Sequence, residues 1–278
     1  MHRPPGGANV DRPLGAPLLR WTVLGASAVR PNPGGACAGY LLEVDGAHHL
    51  VDCGPGVVAR LLTHVRLRDV DSVLVSHGHP DHCLELVVLR QALRYGPDGR
   101  RDAGMPIYLA PGMHAQLDTL GAAFIDDAAT GPIADYWSPV LVRRTFDPAA
   151  VLELAGVAVT FAPTSHYVPC WAMRFTDRHG RSIVYGADGG PSAAVTALAQ
   201  GADLLILECT FPTRRGREGD LGHLAPDEAG RLAARAGVRR LVLTHMFATD
   251  DREAMRQAAA AACDVPVDLA REGDAWTV

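Results

Sequence analysis

Ser76-His77-Gly78-His79-Pro80-Asp81-His82 follows directly on Ser72–Val75 (SVLV), a short, continuous apolar run. The run reads as a buried strand, so four groups able to ligate a metal stand together at a strand end. His77 and His79, two apart in extended chain, point to the same side and can share one ion. Pro80 bends the chain, and Asp81 and His82 can then turn toward a second ion. Imidazole and carboxylate together suit zinc, with manganese or iron as alternatives. Gly78 lets the backbone crowd the site. Histidines of an ordinary solvated loop would have no reason to gather behind a buried strand.

Outward from this stretch, strands and helices alternate. Upstream, Leu18–Leu24 reads as a strand and Gly25–Gly39 as a long Gly/Pro loop. Tyr40–Val44 and His48–Asp52 flank Asp45-Gly46, a hairpin signal, and a helix is expected over Val57–His64. Downstream, a helix over His82–Arg94 is stopped by Gly96-Pro97. Strands are expected near Ile107–Ala110, Val151–Leu154, Val157–Ala162, Ala172–Thr176, Ser182–Tyr185, Asp203–Glu208 and Arg240–Thr244. Helices are expected over Ser192–Gln200, Pro226–Ala236 and Arg252–Cys263. The region 121–146, with Tyr136 and Trp137, reads as irregular, either a lid or pocket wall or a surface loop. No domain-scale linker is evident. Two similar halves, each a set of strands followed by helices, fit a four-layer α/β/β/α sandwich.

The chain has 278 residues, 48% of them hydrophobic and 21% charged, the composition of a globular protein with a substantial core. Residues 1–17 are Pro/Gly-rich without the apolar stretch of a signal peptide, and are expected to be a disordered tail. Residues 18–278 are expected to form a single domain. No apolar run reaches membrane-spanning length, and a cytoplasmic location is expected. The formal charge of −5 does not favour a polyanionic partner. Six Cys without a C-x-x-C pair read as buried free thiols.

His77-x-His79-x-Asp81-His82 resembles the signature of the metallo-β-lactamase superfamily. The resemblance implies the α/β, four-layer α/β/β/α metallo-β-lactamase sandwich and three further ligands downstream. His166, Asp188 and His245 are the candidates, each just past an expected strand, where α/β proteins place their sites. By resemblance, His77, His79 and His166 would hold one metal, Asp81, His82 and His245 a second, and Asp188 would bridge. The cofactors implied are two divalent metal ions per chain, zinc first, which share and activate a hydroxide.

The resemblance narrows to the ribonuclease Z-like branch. Leu24-Gly25-Ala26 with Pro31, Leu50-Val51-Asp52-Cys53-Gly54, Glu208-Cys209-Thr210-Phe211, Gly222-His223-Leu224-Ala225-Pro226-Asp227-Glu228-Ala229 and Leu243-Thr244-His245 carry it, over about residues 20–250. It implies that His223 assists the leaving group and that Glu208 supports His223. Asp52 is expected to be structural, bonding loop amides near the site. Members that process tRNA usually carry a long arm between the positions matching His166 and Asp188. Here only 21 residues lie between them, and Gly189 follows Asp188 where that branch usually has a hydroxyl residue.

The expected activity is therefore a dinuclear, metal-dependent hydrolase with Asp81, His223 and Glu208 as catalytic residues. The leading substrate is a small or cyclic phosphodiester. The alternative is a lactone, thioester or other carbonyl ester, ahead of a tRNA 3′-end endonuclease or a metal-binding protein without turnover. The expected partner is thus a small-molecule ester, with neither tRNA nor membrane. A homodimer is expected by analogy with the superfamily. Thr213-Arg214-Arg215-Gly216-Arg217 could greet a phosphate or be a solvated loop. Tyr136, Trp137, Tyr167, Trp171, Phe211 and Phe247 could line an apolar pocket or pack in the core.

Overall fold

The structure, a computed structural model, describes residues 19–97, 103–124 and 136–278. The expected tail at 1–17 and residues 125–135 of the irregular region lie outside the described residues.

Among the described residues the strands pair into two sheets of seven. The first contains β1 (Leu19–Gly25), β2 (Gly39–Val44), β3 (Ala47–Val51), β4 (Ser72–Val75), β5 (Met105–Leu109), β6 (Leu141–Thr145) and β14 (Ala275–Thr277) in the order β14-β1-β2-β3-β4-β5-β6. The second contains β7 (Leu152–Leu154), β8 (Val157–Pro163), β9 (Trp171–Asp177), β10 (Ser182–Tyr185), β11 (Leu204–Glu208), β12 (Leu241–Thr244) and β13 (Val267–Leu269) in the reverse order. Asp45 and Gly46, at φ 47° and 91°, make the tight turn between β2 and β3, because both central positions of such a turn need positive φ. β3 to β6 run parallel, as do β10 to β13. The inner strands of these parallel runs, β4 and β10 to β12, are continuous apolar runs buried along their length, as sheets covered on both faces require.

The sheets face each other across an aromatic core. Trp21 of β1 lies 5.0 Å from Tyr40 of β2, ring centre to ring centre, and 5.8 Å from both Phe175 of β9 and Tyr185 of β10. Helices α1 (Val57–Leu61), α2 (Pro80–Cys83), α3 (Leu86–Tyr95) and α4 (Met113–Ala122) belong to the first half. Helices α5 (Ala193–Leu198), α6 (Pro226–Ala236) and α7 (Arg252–Ala260) belong to the second. Their buried faces, such as Leu86, Leu89 and Leu93 of α3 and Ala229, Leu232 and Ala233 of α6, continue the core outside each sheet. This is the four-layer α/β/β/α sandwich.

Several elements differ from the sequence reading. The expected helix 82–94 is two helices, α2 and α3, parted at Leu84–Glu85, where Glu85 turns back to accept the Val58 amide at 2.6 Å. Helix α4 and strands β6, β13 and β14 went unread. Only Met113, Leu117 and Gly121 of α4 are buried, too narrow a face to give a strong period. β6 carries Arg143 and Arg144 on the edge of its sheet. β14 exists only through its antiparallel pairing with β1 near the other end of the chain. Tyr136 and Trp137 are neither lid nor pocket wall: both are buried, with Trp137 Nε1 donating to Leu117 O and Arg90 stacked 4.3 Å over Tyr136.

All six cysteines are free and five are buried. Burial pushes the Cys37 and Cys83 thiols up to about 12, so neither supplies a thiolate near neutral pH. Among the described residues no helix is long and apolar enough to cross a membrane.

Because Trp21 touches both sheets, Trp21→Ala should cost about 3–5 kcal/mol, measured as a fall in the urea unfolding midpoint. A cost below about 1 kcal/mol would mean that Trp21 does not fill this core.

Candidate metal centre

The cluster is built at strand ends. β4 delivers His77 one residue beyond Ser76. His79 is still extended, at φ −69° and ψ 146°, before Pro80 starts α2 and swings Asp81 and His82 round. His166 follows β8, Asp188 follows β10 and His245 follows β12. Asp52, Ala187 and His245 have positive φ of 59°, 51° and 55°. A residue with a Cβ pays for that left-handed geometry by about 1 kcal/mol or more, and here it aims side chains from the strand ends inward.

The seven expected ligands converge. Donor atoms of His77, His79, His166 and Asp188 all lie within 4.8 Å of one another, as do those of Asp81, His82 and His245. In the first group, His79 Nδ1 is 3.2 Å from His77 Nε2 and 3.0 Å from His166 Nε2. In the second, His245 Nε2 is 3.3 Å from His82 Nε2 and 3.1 Å from Asp81 Oδ2. Asp188 stands between the groups. Its Oδ2 is 4.0 Å from His77 Nε2, 3.9 Å from His166 Nε2 and 3.6 Å from His245 Nε2. Its Oδ1, 3.3 Å from His82 Nε2, is buried and makes no hydrogen bond.

The outer nitrogens decide what the inner ones can do. His166 Nδ1 faces the carbonyl of Gly222 at 2.8 Å, and His82 Nδ1 faces Asp52 Oδ2 at 2.8 Å. Both oxygens only accept, so both nitrogens carry the proton. Ser76 Oγ donates to Asp52 Oδ2 and is thereby left to accept from His77 Nδ1 at 3.0 Å. Thr210 Oγ1 donates to His245 O and accepts from His245 Nδ1 at 2.9 Å. Imidazoles whose Nδ1–H is fixed this way turn four Nε2 atoms to the centre, bare wherever the ring is neutral. The Nε2 atoms of His82 and His245 lie 3.3 Å apart, close enough to repel unless a proton or a metal cation lies between them. This donor chemistry and the unpartnered Asp188 Oδ1 fit divalent metal.

The titration of the cluster sets His82 apart from the other histidines. Burial holds His77 well below the usual histidine range, and it lowers His79 and His166 too, which keeps them neutral. Burial also opposes a charged His82, but the carboxylates of Asp188 and Asp52 outweigh it and raise the pKa well above the usual range. The same negative field draws a metal to that nitrogen. Burial pushes Asp188 toward the neutral acid, yet His245 and His82 hold it well below the carboxylate range.

His223 borders the cluster. Its ring lies 5.0 Å from that of His166, and a donor atom lies within 4.8 Å of those of Asp188 and His245. Its Nδ1 is 2.7 Å from Glu208 Oε1. Glu208 also accepts the amides of Gly189 at 3.0 Å and Thr210 at 2.9 Å. Burial lowers the basicity of His223, but Glu208 more than compensates and its pKa is raised.

Gly189 has a local reason. A Cβ there would meet Thr164 Cβ at 2.7 Å and its Oγ1 at 2.9 Å, while Thr164 Oγ1 donates to Asp188 O at 2.6 Å. Thr164 fills the place a side chain at 189 would take. Asp52 bonds one loop amide, Ser76 N, and otherwise side chains: Ser76 Oγ, His82 Nδ1 and Tyr185 OH.

Other partners escaped the sequence reading. Val29 N donates to Asp81 Oδ2 at 2.8 Å, a backbone contact without a residue signal. Thr210 props His245, a role that its place in the Glu208–Phe211 stretch does not disclose. Arg214 does not face a phosphate: it binds Glu228 and the carbonyls of His223 and Asp220. Arg217 lies over Phe211. Of the expected pocket aromatics, Tyr167 and Phe211 border His223, whereas Trp171 packs edge-on to Phe146.

Residues 48–246 match the family described as the Beta-lactamase superfamily domain. The chain is 30% identical over 259 residues to the probable metallo-hydrolase YhfI of Bacillus subtilis (strain 168), covering 93% of this chain and 99% of that one. The crystal structure of YhfI, at 29% identity, superimposes with a TM-score of 0.82 over 95% of this chain and all of the other. A ribonuclease Z of Kineococcus radiotolerans is 29% identical over 273 residues, covering 80% of this chain and 82% of its own. A diphosphatase of the PhnP family shares the fold, with a TM-score of 0.71 at 18% identity over 93% of this chain and 97% of its own. With one family spanning most of the sequence and a relative matched nearly end to end, the chain belongs to the metallo-β-lactamase superfamily, in its ribonuclease Z-like branch, and is a metallo-hydrolase.

Proposed function

We propose that His77, His79, His166, Asp81, His82, His245 and the shared Asp188 hold two divalent cations, and that the protein hydrolyses a small or cyclic phosphodiester. The observation that carries this reading is the pairing of the converged donor set with the His223–Glu208 dyad at its edge. An alkoxide leaving group needs a proton, and a histidine held charged by a carboxylate is the residue to give it. Two relatives whose names concern RNA cleavage and diphosphate chemistry support phosphorus as the electrophile.

Zinc suits the donors, with manganese or iron as alternatives, and the bound pair would supply Lewis acidity to a substrate oxygen and to the attacking water. The chain's residues do the rest. Asp81, its Oδ2 steadied by Val29 N at 2.8 Å, orients the water. The water oxygen bonds to phosphorus, giving up one proton to solvent, from which His223 is later reprotonated, as the phosphorus–oxygen bond to the leaving group breaks. The proton on His223 Nε2 passes to the departing oxygen, while Glu208 keeps Nδ1 protonated and the ring aligned. Gly189 N and Thr210 N hold Glu208 in turn.

A carbonyl ester such as a lactone or thioester is the second reading, since the same donors would serve it. Against tRNA stand the acidic balance and the short stretch between His166 and Asp188, which β9, β10 and their connecting turn largely fill.

Three measurements test this. Zinc returned to chelator-stripped protein should raise the thermal midpoint by several degrees, and Asp188→Ala should remove most of the rise. No rise in the native protein would end the metal assignment. A nitrophenyl phosphodiester should turn over with a loss of at least about 100-fold in Asp81→Ala. Lactone or thioester turnover without phosphodiesterase activity would reverse the order of the two readings.

His223→Ala should slow alkyl leaving groups by about 100-fold and nitrophenolate far less, because nitrophenolate leaves without protonation. Equal slowing would remove the general-acid role. Glu208→Gln should shift the alkaline limb of kcat/KM to lower pH: His223 acts protonated, and losing the carboxylate lets its proton leave sooner.

A further inference from the structure

Two aromatic rings flank His223, Phe211 at 5.3 Å and Tyr167 at 5.5 Å between ring centres. What covers them differs. Phe211 is buried, and the Arg217 guanidinium lies 4.5 Å from its centre. Tyr167 is 59% exposed. It borders a cleft of about 460 Å³, shared with Ser165, His166 and the segment Gly219–Gly222, a size typical of small-molecule sites, roughly 300–1,000 Å³.

An exposed ring without partners would sample several rotamers. Tyr167 is braced instead. Its hydroxyl donates to Asp220 Oδ1 at 2.5 Å, and the same oxygen accepts Gly222 N at 3.1 Å. Gly222 fits against the ring so closely that a Cβ there would come within 2.2 Å of it. Gly222 O in turn accepts from His166 Nδ1. The ring is thus held in register with the donor cluster.

We infer that Tyr167 forms a stacking subsite for a planar aromatic ring, such as a nucleobase, carried on the leaving group of the substrate. The hydroxyl is already committed to Asp220, which leaves the open face of the ring as its contact surface. The Asp220 carboxylate beside it disfavours an anion, so the phosphate belongs at the metal cluster and the uncharged part of the substrate at Tyr167. Because the platform adjoins His223, it lies on the side toward which the leaving oxygen departs. A preordered ring also loses little entropy on stacking. The placement on the leaving group rests on the phosphodiester reading; the stacking itself does not.

Two arms keep these apart. In titration calorimetry, adenosine 5′-monophosphate should bind about tenfold more tightly than ribose 5-phosphate. Tyr167→Phe should keep that ratio and Tyr167→Leu should lose it. In turnover, the ratio of kcat/KM for the methyl diester of adenosine 5′-phosphate over that of 1-O-methylribose 5-phosphate should fall by a similar factor in Tyr167→Leu alone. Using ratios cancels any general damage from the substitution. Ratios that are the same in native protein and Tyr167→Leu would overturn the subsite, even if both diesters are hydrolysed. A binding preference lost in Tyr167→Leu, with neither diester hydrolysed, would uphold the subsite and reject the phosphodiesterase reading.

Discussion

Asp52 is the constraint around which the site is assembled. It follows β3 in the first sheet, is fully buried, and holds a left-handed backbone at φ 59°. A carboxylate so placed is costly unless its oxygens are filled. Four hydrogen bonds fill them: from Ser76 N and Oγ at the end of β4, from His82 Nδ1, and from Tyr185 OH in the second sheet. One group therefore ties two neighbouring strand ends to each other, fixes the proton of an inner histidine, and fastens the sheets together below the cluster. Ser76 passes the constraint on to His77. The two donor groups depend on it jointly.

The second half of the chain uses the same device at the other edge. Glu208, at the end of β11, is also buried and also collects loop amides, those of Gly189 and Thr210. Its remaining capacity goes to His223 Nδ1. Each half thus ends a strand in a carboxylate that spends part of its charge on the backbone and the rest on one imidazole. The difference lies in where that imidazole looks. His82 turns Nε2 inward to Asp188 and His245, whereas His223 stands at the rim, between the cluster and two aromatic rings. The first geometry suits a metal ligand and the second a proton donor.

The sequence disclosed most of what is locally encoded. Two histidines two apart behind an apolar run must share a face, so His77 and His79 were readable from spacing alone. His166, Asp188 and His245 needed the family resemblance, because nothing local says that three distant strand ends meet. What stayed hidden depends on long-range pairing or on backbone. β14 is three residues that become a strand only against β1. The Val29 amide that steadies Asp81 leaves no mark in residue type. Arg214 looked like a free basic group and is instead a clasp on Glu228. Tyr136 and Trp137 sat in a stretch without periodicity, yet helices α3 and α4 enclose them.

That clasp bears on how freely the rim could diverge. Arg214 joins the loop after β11 to α6 through Glu228, and to the chain before α6 through the His223 carbonyl. Glu228 also accepts the Ala225 amide at the start of that helix. Further along, Gly222 O sets the proton on His166, a residue of the inner donor set. The segment that carries the rim contacts therefore shares hydrogen bonds with both the proton donor and a candidate ligand. A substitution that shifts Gly222 would move His166 as well as Tyr167, so changes in binding and in metal affinity at this edge should arrive together. Val29 and its loop, by contrast, reach the cluster through the Val29 amide, through Ala26 O, which accepts Met246 N, and through Asn32, which bonds Met246 O and Ala248 N. With Val29 itself 64% exposed, its side chain can change while the backbone contact to Asp81 is kept. The two edges of the site are thus unequal in physical freedom, and variation in substrate should enter more easily at the Val29 side than at the Gly222 side.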